Sequence, residues 1–243
     1  IFFIINFMGK TGYLILENGQ IFSGVSIGCE KKVSGEVVFN TGMVGYPESF
    51  TDPSYYGQIL TMTYPLIGNY GVADKNAWES DRIQIRGLLV SSYIENQTHY
   101  QAVITLGDWL KKEGIPALTN VDTRTLTKII REFGVMKGQI TFSTPIKSGF
   151  FFEDINTKNL LPYVSCKKPV LYKEGKFRVL TIDCGLKENQ IRIWQKLNAT
   201  VIRVPWDHDL FPKNNSYDFD AIFISNGPGD PKMAVKTIET VKE

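Results

Sequence analysis

The N-terminal half of the chain is patterned as short apolar runs separated by turn residues, which is typical of β-strands. Residues 13–16 (Tyr-Leu-Ile-Leu) are followed by Asn18-Gly19 and then by an apolar pair at 21–22. Because both residues of an Asn-Gly turn accept a positive φ, this segment predicts a β-hairpin. Further strands are predicted at residues 36–40, 58–64 and 85–90.

Two amphipathic helices are predicted after these strands. The first runs from Ala102 to Lys112 and is closed by Gly114. The second begins after Asp122, a candidate N-cap, and ends before Gly134. The predicted apolar faces consist of Val103, Leu106, Trp109 and Leu110 in the first helix and of Leu126, Ile129, Ile130 and Phe133 in the second. Residues 1–150 are therefore predicted to form an α+β domain of antiparallel strands followed by helices.

The pattern changes in the last third of the chain. Residues 151–176 lose periodicity and are interpreted as a connector, whereas residues 177–243 alternate short buried-type strands with helical stretches. This alternation predicts a doubly wound α/β domain with a parallel sheet. Strands are expected at 177–183, 200–204 and 221–225, and helices at 189–197 (with Ile191, Trp194 and Leu197 facing inwards) and 233–243. Since such a sheet usually has about five strands, we expect the α/β domain to be incomplete and the sequence to stop inside it.

Gly227-Pro228-Gly229 comes shortly after the third of these strands. Its glycines allow a bend whose backbone can approach another group closely, and ligands of open α/β sheets bind beyond the carboxyl ends of the strands. The pattern leaves two interpretations open, a tight strand-to-helix turn and one wall of a ligand site. A phosphate loop is a weaker third, because the segment has neither Gly-x-Gly-x-x-Gly nor a Lys-Ser/Thr ending.

Composition narrows the classes of partner. The 243 residues carry a formal net charge of +2 and are 43% hydrophobic, so neither nucleic acid nor a membrane is expected as a partner. Residues 1–7 are apolar but much shorter than the roughly 20 residues of a membrane span, and are interpreted as an extra strand or a remnant of a preceding segment. The three cysteines are few and widely spaced, which predicts a reducing, cytoplasmic setting. With only two histidines besides, no metal site is predicted.

A long loop at residues 41–57 is rich in Gly, Pro, Ser and Tyr, and loops of this length usually have a function. Seven segments carry recognisable motifs: 35–41 (Gly-Glu-Val-Val-Phe-Asn-Thr), 45–46 (Gly-Tyr), 51–55 (Thr-Asp-Pro-Ser-Tyr), 63–69 (Thr-Tyr-Pro-Leu-Ile-Gly-Asn), 121–124 (Val-Asp-Thr-Arg), 183–187 (Asp-Cys-Gly-Leu-Lys) and 225–231 (Ser-Asn-Gly-Pro-Gly-Asp-Pro). In these segments the chain resembles the glutamine-hydrolysing small subunit of carbamoyl-phosphate synthetase. The last segment is shared by class I glutamine amidotransferases in general, and the first-domain segments make the resemblance specific to one enzyme.

The resemblance implies an enzyme that makes carbamoyl phosphate from glutamine, bicarbonate and ATP, in pyrimidine or arginine biosynthesis. The glutamine chain would pass ammonia through an internal tunnel to a synthetase subunit or fused synthetase domain, which binds ATP and Mg. No cofactor is expected in this chain itself, and residues 177–243 would have a class I glutamine amidotransferase-like fold.

The matching motifs also carry over a binding role for L-glutamine to Ser54, Gly227 and Gly229. A hydroxyl beside open backbone suits the α-amino and α-carboxylate groups of an amino acid. Without the resemblance, Ser54 in Asp52-Pro53-Ser54 would be interpreted as an ordinary turn residue.

The resemblance further implies a Cys nucleophile in a Gly-x-Cys-x-Gly turn, with a His base and a Glu, which we expect beyond residue 243. Neither Cys29 nor Cys166 stands in such a turn, and Cys184 is expected to be a small buried hydrophobic residue at the end of a strand. His99 and His208 match no base position. We therefore predict part of a glutamine pocket and no catalytic residues, so that the chain alone is inactive. The alternative is a non-catalytic assembly or regulatory module of the same family that has lost the nucleophile.

Overall fold

The computed structural model describes residues 9–144, 150–172, 175–210 and 217–242, which form two compact units. The first unit comprises the described residues up to Phe50, with Gly57–Ala77 and Ile85–Asp154. The second comprises Thr51–Tyr56, Trp78–Gln84 and the described residues from Ile155 onwards. Two short segments from before residue 150 therefore group with the C-terminal unit. The extra strand considered for residues 1–7 lies outside the described residues.

The first unit is a closed barrel in which parallel and antiparallel strand pairs are mixed. Its strands are β1 (Thr11–Leu16), β2 (Ile21–Ser26), β3 (Val33–Asn40), β4 (Gln58–Met62), β5 (Gly87–Val90), β6 (Ala117–Thr119) and β7 (Met136–Thr141). Their order around the barrel is β1-β2-β6-β5-β4-β3-β7, and closure removes the unpaired edges. The predicted α+β class is confirmed, but β3-β4, β4-β5 and β5-β6 are parallel rather than antiparallel. Each of these pairs is joined by a connection long enough to return the chain to the same end of the barrel.

One turn and one helix of this unit lie where short sequence motifs predict them. The Asn18-Gly19 turn joins β1 to β2, with φ = 86° at the glycine. Helix α3 (Thr123–Phe133) begins at Asp122, whose carboxylate accepts the Thr125 N–H at 3.0 Å, and Gly134 follows it with φ = 85°. These predictions are confirmed because they depend only on neighbouring residues.

Two details of the helix predictions are wrong. Helix α2 (Leu106–Lys112) begins after Thr105 rather than at Ala102, because the Val103 N–H donates to the Val72 carbonyl at 2.9 Å instead of joining a helical turn. The Val103 side chain is exposed as a result. Phe133 is the last residue of α3 and is also exposed, so the buried stripe of that helix consists of Leu126, Ile129 and Ile130. Helix α1 (Tyr46–Thr51) lies between β3 and β4 in the chain.

The second unit is built on a four-stranded sheet with the order β11-β9-β10-β8. Its strands are β8 (Val170–Tyr172), β9 (Phe177–Asp183), β10 (Ala199–Pro205) and β11 (Ala221–Ile224), and its helices are α4 (Leu161–Val164), α5 (Glu188–Lys196) and α6 (Val235–Lys242). β9, β10 and β11 are parallel, which confirms the predicted partial α/β fold. β8 pairs antiparallel with β10, so the stretch interpreted as a connector contributes a strand. Three residues are too few to show a period, and β8 is defined only by its pairing with β10.

Apolar side chains stay exposed along β11 and α6. The strand predicted at 221–225 is confirmed as β11, but its predicted burial is wrong, since Ile222 and Ile224 are exposed. β11 is an edge strand of the sheet formed by the described residues. The exposed apolar residues of α6 are Val235, Ile238 and Val241. On α5, Ile191 is buried as predicted, whereas Leu197 follows the helix and is exposed. Within the described ranges, no helix combines the length and apolar character needed to cross a membrane.

Candidate functional site

The carboxyl ends of the neighbouring parallel strands β9 and β11 place two short segments side by side. β9 leads into Cys184-Gly185, and β11 leads into Ser225-Asn226-Gly227. The Ser225 hydroxyl accepts the Cys184 N–H at 2.9 Å. A Cβ on Gly227 would lie 1.9 Å from the Cys184 carbonyl oxygen, far inside van der Waals contact. Residue 227 must therefore be glycine, because backbone meets backbone at this point.

The loop continues through Pro228 to Gly229, where φ is +76°. A left-handed φ of this kind favours glycine regardless of the space around it. The loop borders a cavity of about 520 Å³, whose other walls include Leu161, Cys184 and one face of α6. Cavities of this volume are typical of small-molecule sites. Both glycines predicted to bind a ligand thus line open space at the edge of the sheet.

Ser54 lies in a 3-10 turn at Pro53–Tyr55, which belongs to the second unit. Asp52 precedes the turn, and its Oδ1 accepts the Ser54 N–H at 2.9 Å. The other carboxylate oxygen, Oδ2, pairs with Lys187 Nζ at 2.7 Å. Asp52 is only 6% exposed, whereas the Lys187 side chain is 34% exposed. The ion pair ties the turn to the start of α5.

Two amide side chains join Ser54 to the glycine loop. The Lys187 N–H donates to Gln190 Oε1 at 3.1 Å, and Gln190 Nε2 donates to Asn226 Oδ1 at 3.3 Å. Asn226 Nδ2 donates in turn to the Ser54 hydroxyl. Ser54 is therefore brought next to the residue that precedes Gly227, although the two lie more than 170 positions apart in the chain.

A buried carboxylate organises the end of β9. Asp183 is 0% exposed, and its Oδ1 accepts the N–H groups of Gly185 at 2.9 Å and Leu186 at 2.8 Å. Its Oδ2 accepts the Cys166 N–H and two N–H groups of the Arg203 guanidinium, all at 2.7 Å. Burial opposes the charge on Arg203, but the Asp183 carboxylate and the Tyr172 hydroxyl together outweigh it and raise the pKa of the guanidinium. One side chain thus holds the segment that packs against the loop.

The thiols near this edge are poor nucleophiles. Burial raises the pKa of the Cys184 thiol. Burial, reinforced by the Asp183 carboxylate, raises the pKa of Cys166 to about 12. Because the thiolate is the reactive species, neither residue is prepared for attack on an amide near neutral pH.

The other cysteine and the two histidines are divided between the two units. Cys29 and His99 belong to the barrel unit. His208 belongs to the second unit, where its Nε2 forms a hydrogen bond of 2.7 Å with the Tyr217 hydroxyl. In the part of the chain that the structure describes, there is no group of three side chains that could hold a metal ion.

Comparisons with known proteins match both halves of the chain. The family model described as carbamoyl-phosphate synthase small chain, CPSase domain, matches residues 14–140, which is more than half of the chain. This chain belongs to the carbamoyl-phosphate synthase small-chain family. A second family model, glutamine amidotransferase class-I, matches residues 180–243. Together, the two matches confirm the resemblance inferred from the motifs.

Curated relatives of this family are similar over nearly the whole chain. It is 45% identical over 239 residues to the multifunctional protein CAD of Squalus acanthias, with 95% of this chain and 10% of that protein covered. It is 41% identical over 255 residues to the multifunctional protein pyr1-3 of Dictyostelium discoideum, with 96% and 12% covered. It is 42% identical over 250 residues to the mitochondrial carbamoyl-phosphate synthase (ammonia) of Mus musculus, with 99% and 16% covered. The chain thus spans roughly a tenth to a sixth of the length of these relatives.

The motifs predict Ser54, Gly227 and Gly229 as ligand-binding residues, but they do not indicate which side chains hold Ser54 and the glycine loop in place. Those side chains belong to Asp52, Lys187, Gln190 and Asn226. Three of the four residues lie inside the matched motifs, where a polar side chain next to a predicted binding residue could have indicated a supporting role. Gln190 lies outside every matched motif, and its only signal is its position at the third residue of a helix, where Gln often bonds back to the N-cap backbone.

Proposed function

We propose that this chain binds L-glutamine as part of the glutaminase component of a carbamoyl-phosphate synthase. The observation that carries the proposal is the meeting of Ser54 with the Asn226-Gly227 loop at the carboxyl edge of a parallel sheet. Ligands of open α/β sheets bind at this edge. In the parent protein, ammonia released from glutamine would serve to make carbamoyl phosphate from bicarbonate and ATP, for pyrimidine or arginine biosynthesis.

The chemistry of the site fits the two charged groups of an amino acid. The α-carboxylate needs hydrogen-bond donors, and the α-ammonium group needs acceptors. Gly227 and Gly229 have no side chain of their own beside their backbone N–H and C=O groups, and Ser54 adds a hydroxyl. The cavity of about 520 Å³ borders Gly227 and Gly229, whereas Ser54 is not among its lining residues.

The synthetase component, which would bind ATP and Mg²⁺, is the proposed partner. Relatives named multifunctional proteins, of which this chain matches 10% and 12%, favour a synthetase fused to the same polypeptide over a separate subunit. The cytoplasm is the proposed compartment, because free and widely spaced cysteines suit a reducing environment.

We propose that this chain by itself binds glutamine without hydrolysing it. Amide hydrolysis needs an activated nucleophile and a base that can take its proton. The raised pKa values of Cys166 and Cys184 disfavour the thiolate. The one histidine of the second unit bonds to a tyrosine hydroxyl instead of a thiol.

Isothermal titration calorimetry with L-glutamine tests the binding role. The wild-type chain should bind, and Ser54→Ala should bind about tenfold more weakly, since a hydrogen bond to a charged group contributes about 1.5–3 kcal/mol. Ser23→Ala, at an exposed serine of β2, is the matched control and should bind like the wild type. A wild-type chain that does not bind glutamine, or a Ser54→Ala variant that binds it equally well, would refute the proposal.

One observation favours a second function. Two relatives, from Mus musculus and Homo sapiens, are each 42% identical to this chain and are named carbamoyl-phosphate synthase (ammonia). The alternative is therefore a non-catalytic assembly or regulatory module of the same family. The full-length parent protein distinguishes the two: carbamoyl phosphate formed from glutamine supports the glutaminase, and carbamoyl phosphate formed only with added ammonia supports the module.

A further inference from the structure

The side chains around Ser54 form a directed series of hydrogen bonds that begins at a backbone N–H. The Lys187 N–H can only donate, so the atom of Gln190 that faces it at 3.1 Å is the carbonyl oxygen Oε1. The amide nitrogen Nε2 of Gln190 is then the atom that faces Asn226, at 3.3 Å. Because this nitrogen can also only donate, Asn226 accepts with its Oδ1.

The same reasoning sets the direction of the last bond, at Ser54. With its oxygen turned to Gln190, Asn226 presents Nδ2 to Ser54, and the serine hydroxyl oxygen accepts. The hydroxyl proton is therefore not used in this bond, and the hydroxyl has no second partner among the described residues. Asp52 accepts the Ser54 N–H at 2.9 Å, so the serine backbone is held as well.

We infer that Gln190 is a positioning residue that turns Asn226 so that the Ser54 hydroxyl keeps its proton for the ligand, where it donates to the α-carboxylate. A carboxylate only accepts hydrogen bonds, whereas an α-ammonium group only donates them. Asn226 occupies one of the two lone pairs of the Ser54 hydroxyl and leaves its proton free, so the hydroxyl can donate to the carboxylate. The choice of L-glutamine as the ligand rests on the proposed function, but the direction of the bonds does not.

Gln190→Glu keeps the size of the side chain but should reverse the direction of the hydrogen bonds at Asn226 and Ser54. The carboxylate still accepts the Lys187 N–H, but its second oxygen also accepts, so Asn226 must turn its NH₂ group towards residue 190. Its oxygen then faces Ser54, and the serine proton is used by Asn226 instead of the ligand. In calorimetry, we expect glutamine to bind about tenfold or more weakly. Gln195→Glu makes the same charge change on the same helix and should bind like the wild type.

A double-mutant cycle separates this positioning role from a structural or charge effect. In a Ser54→Ala background, Gln190→Glu should cause no further loss of glutamine affinity, because no hydroxyl is left to orient. The ligand 4-aminobutanamide, which is glutamine without its α-carboxylate, should bind to the wild type and to Gln190→Glu with equal affinity. Additive losses in the cycle, or an unchanged glutamine affinity in Gln190→Glu, would overturn the inference.

Neutron crystallography of the deuterium-exchanged chain tests the direction of the bonds without a ligand. Deuterons should lie on the Asn226 atom that faces Ser54, and the serine deuteron should point away from Asn226. The reverse arrangement would overturn the inference even if glutamine binds. The expected arrangement in a chain that does not bind glutamine would refute the proposed function and support Ser54 as a donor to another acceptor.

Discussion

Asp183→Asn replaces one oxygen of a fully buried carboxylate with an NH₂ group. In the wild type, one oxygen accepts two backbone N–H groups, and the other accepts the Cys166 N–H and the Arg203 guanidinium. Whichever way the asparagine turns, its NH₂ group faces at least two N–H donors and cannot accept a hydrogen bond from them. The substitution also removes the charge that pairs with Arg203, whose side chain is only 13% exposed.

The expected loss in the free energy of unfolding follows from the burial of Asp183 and Arg203. Breaking a buried ion pair costs about 3–5 kcal/mol, because one charge stays buried without its partner. Glu188 remains 3.0 Å from the Arg203 guanidinium and offsets part of the loss, so we expect about 3 kcal/mol. Asp218→Asn is the matched control, since it makes the same change at an ion pair of 2.8 Å whose side chains are 85% and 43% exposed. An exposed pair of this kind contributes less than about 1 kcal/mol.

Urea unfolding followed by tryptophan fluorescence measures both changes. Trp78, Trp194 and Trp206 belong to the second unit, and Trp109 belongs to the barrel unit. A Trp109→Phe background therefore limits the signal to the second unit. A loss of less than about 1 kcal/mol for Asp183→Asn, or equal losses for the two substitutions, would refute the idea that this carboxylate organises the end of β9.

Three further predictions concern the loop, a buried acid and a thiol. Gly227→Ala would bring a Cβ to 1.9 Å from a backbone oxygen, so it should destabilise the second unit in urea unfolding by about 2 kcal/mol or more and abolish glutamine binding in calorimetry. Gly19→Ala, at φ +86° with no atom within 4 Å of the added Cβ, should cost only about 1 kcal/mol and leave binding unchanged. Burial raises the pKa of Glu79 above its ordinary value, so its contribution to stability is fully present below the unfolded-state pKa and is lost as the pH rises through the raised value. The glutamine of Glu79→Gln cannot ionise. As the pH rises from the unfolded-state pKa to the raised pKa, the free energy of unfolding of this variant should therefore increase relative to that of the wild type, as measured by urea unfolding at a series of pH values. Since the pKa of Cys166 is raised from 9.0 to about 12, iodoacetamide at pH 8 should alkylate it roughly a thousandfold more slowly in the folded chain than in urea, as followed by mass spectrometry.

Each of these predictions has a result that would contradict it. Glutamine binding that survives Gly227→Ala would mean that the loop can move away from Cys184 without loss of the site. A stability difference between Glu79→Gln and the wild type that stays constant with pH would mean that this carboxyl is not disfavoured by burial, and Glu239→Gln at an exposed ion pair is the control. Equal alkylation rates in the folded chain and in urea would show that Cys166 is accessible as a thiolate.

Short-range patterns predicted those parts of the fold that depend on neighbouring residues. The hairpin at Asn18-Gly19 and the N-cap at Asp122 need only a turn conformation and one local hydrogen bond, so the sequence was enough to predict them. The class of each half followed from the order of strands and helices. The start of α2 was wrong because a backbone hydrogen bond from Val103 to the distant Val72 replaces the first helical turn.

By itself, the sequence determined the family, the α+β and α/β classes and the three residues expected to touch glutamine, since motifs and periodicity are contained in contiguous residues. Only the tertiary structure decided how those residues are held. Whether Gly227 can carry a side chain depends on a carbonyl more than forty positions earlier in the chain. The role inferred for Gln190 depends on Asn226 and Ser54, which lie 36 and more than 130 positions away. Hydrogen-bond direction is a property of atoms that meet in space, and a linear pattern does not contain it.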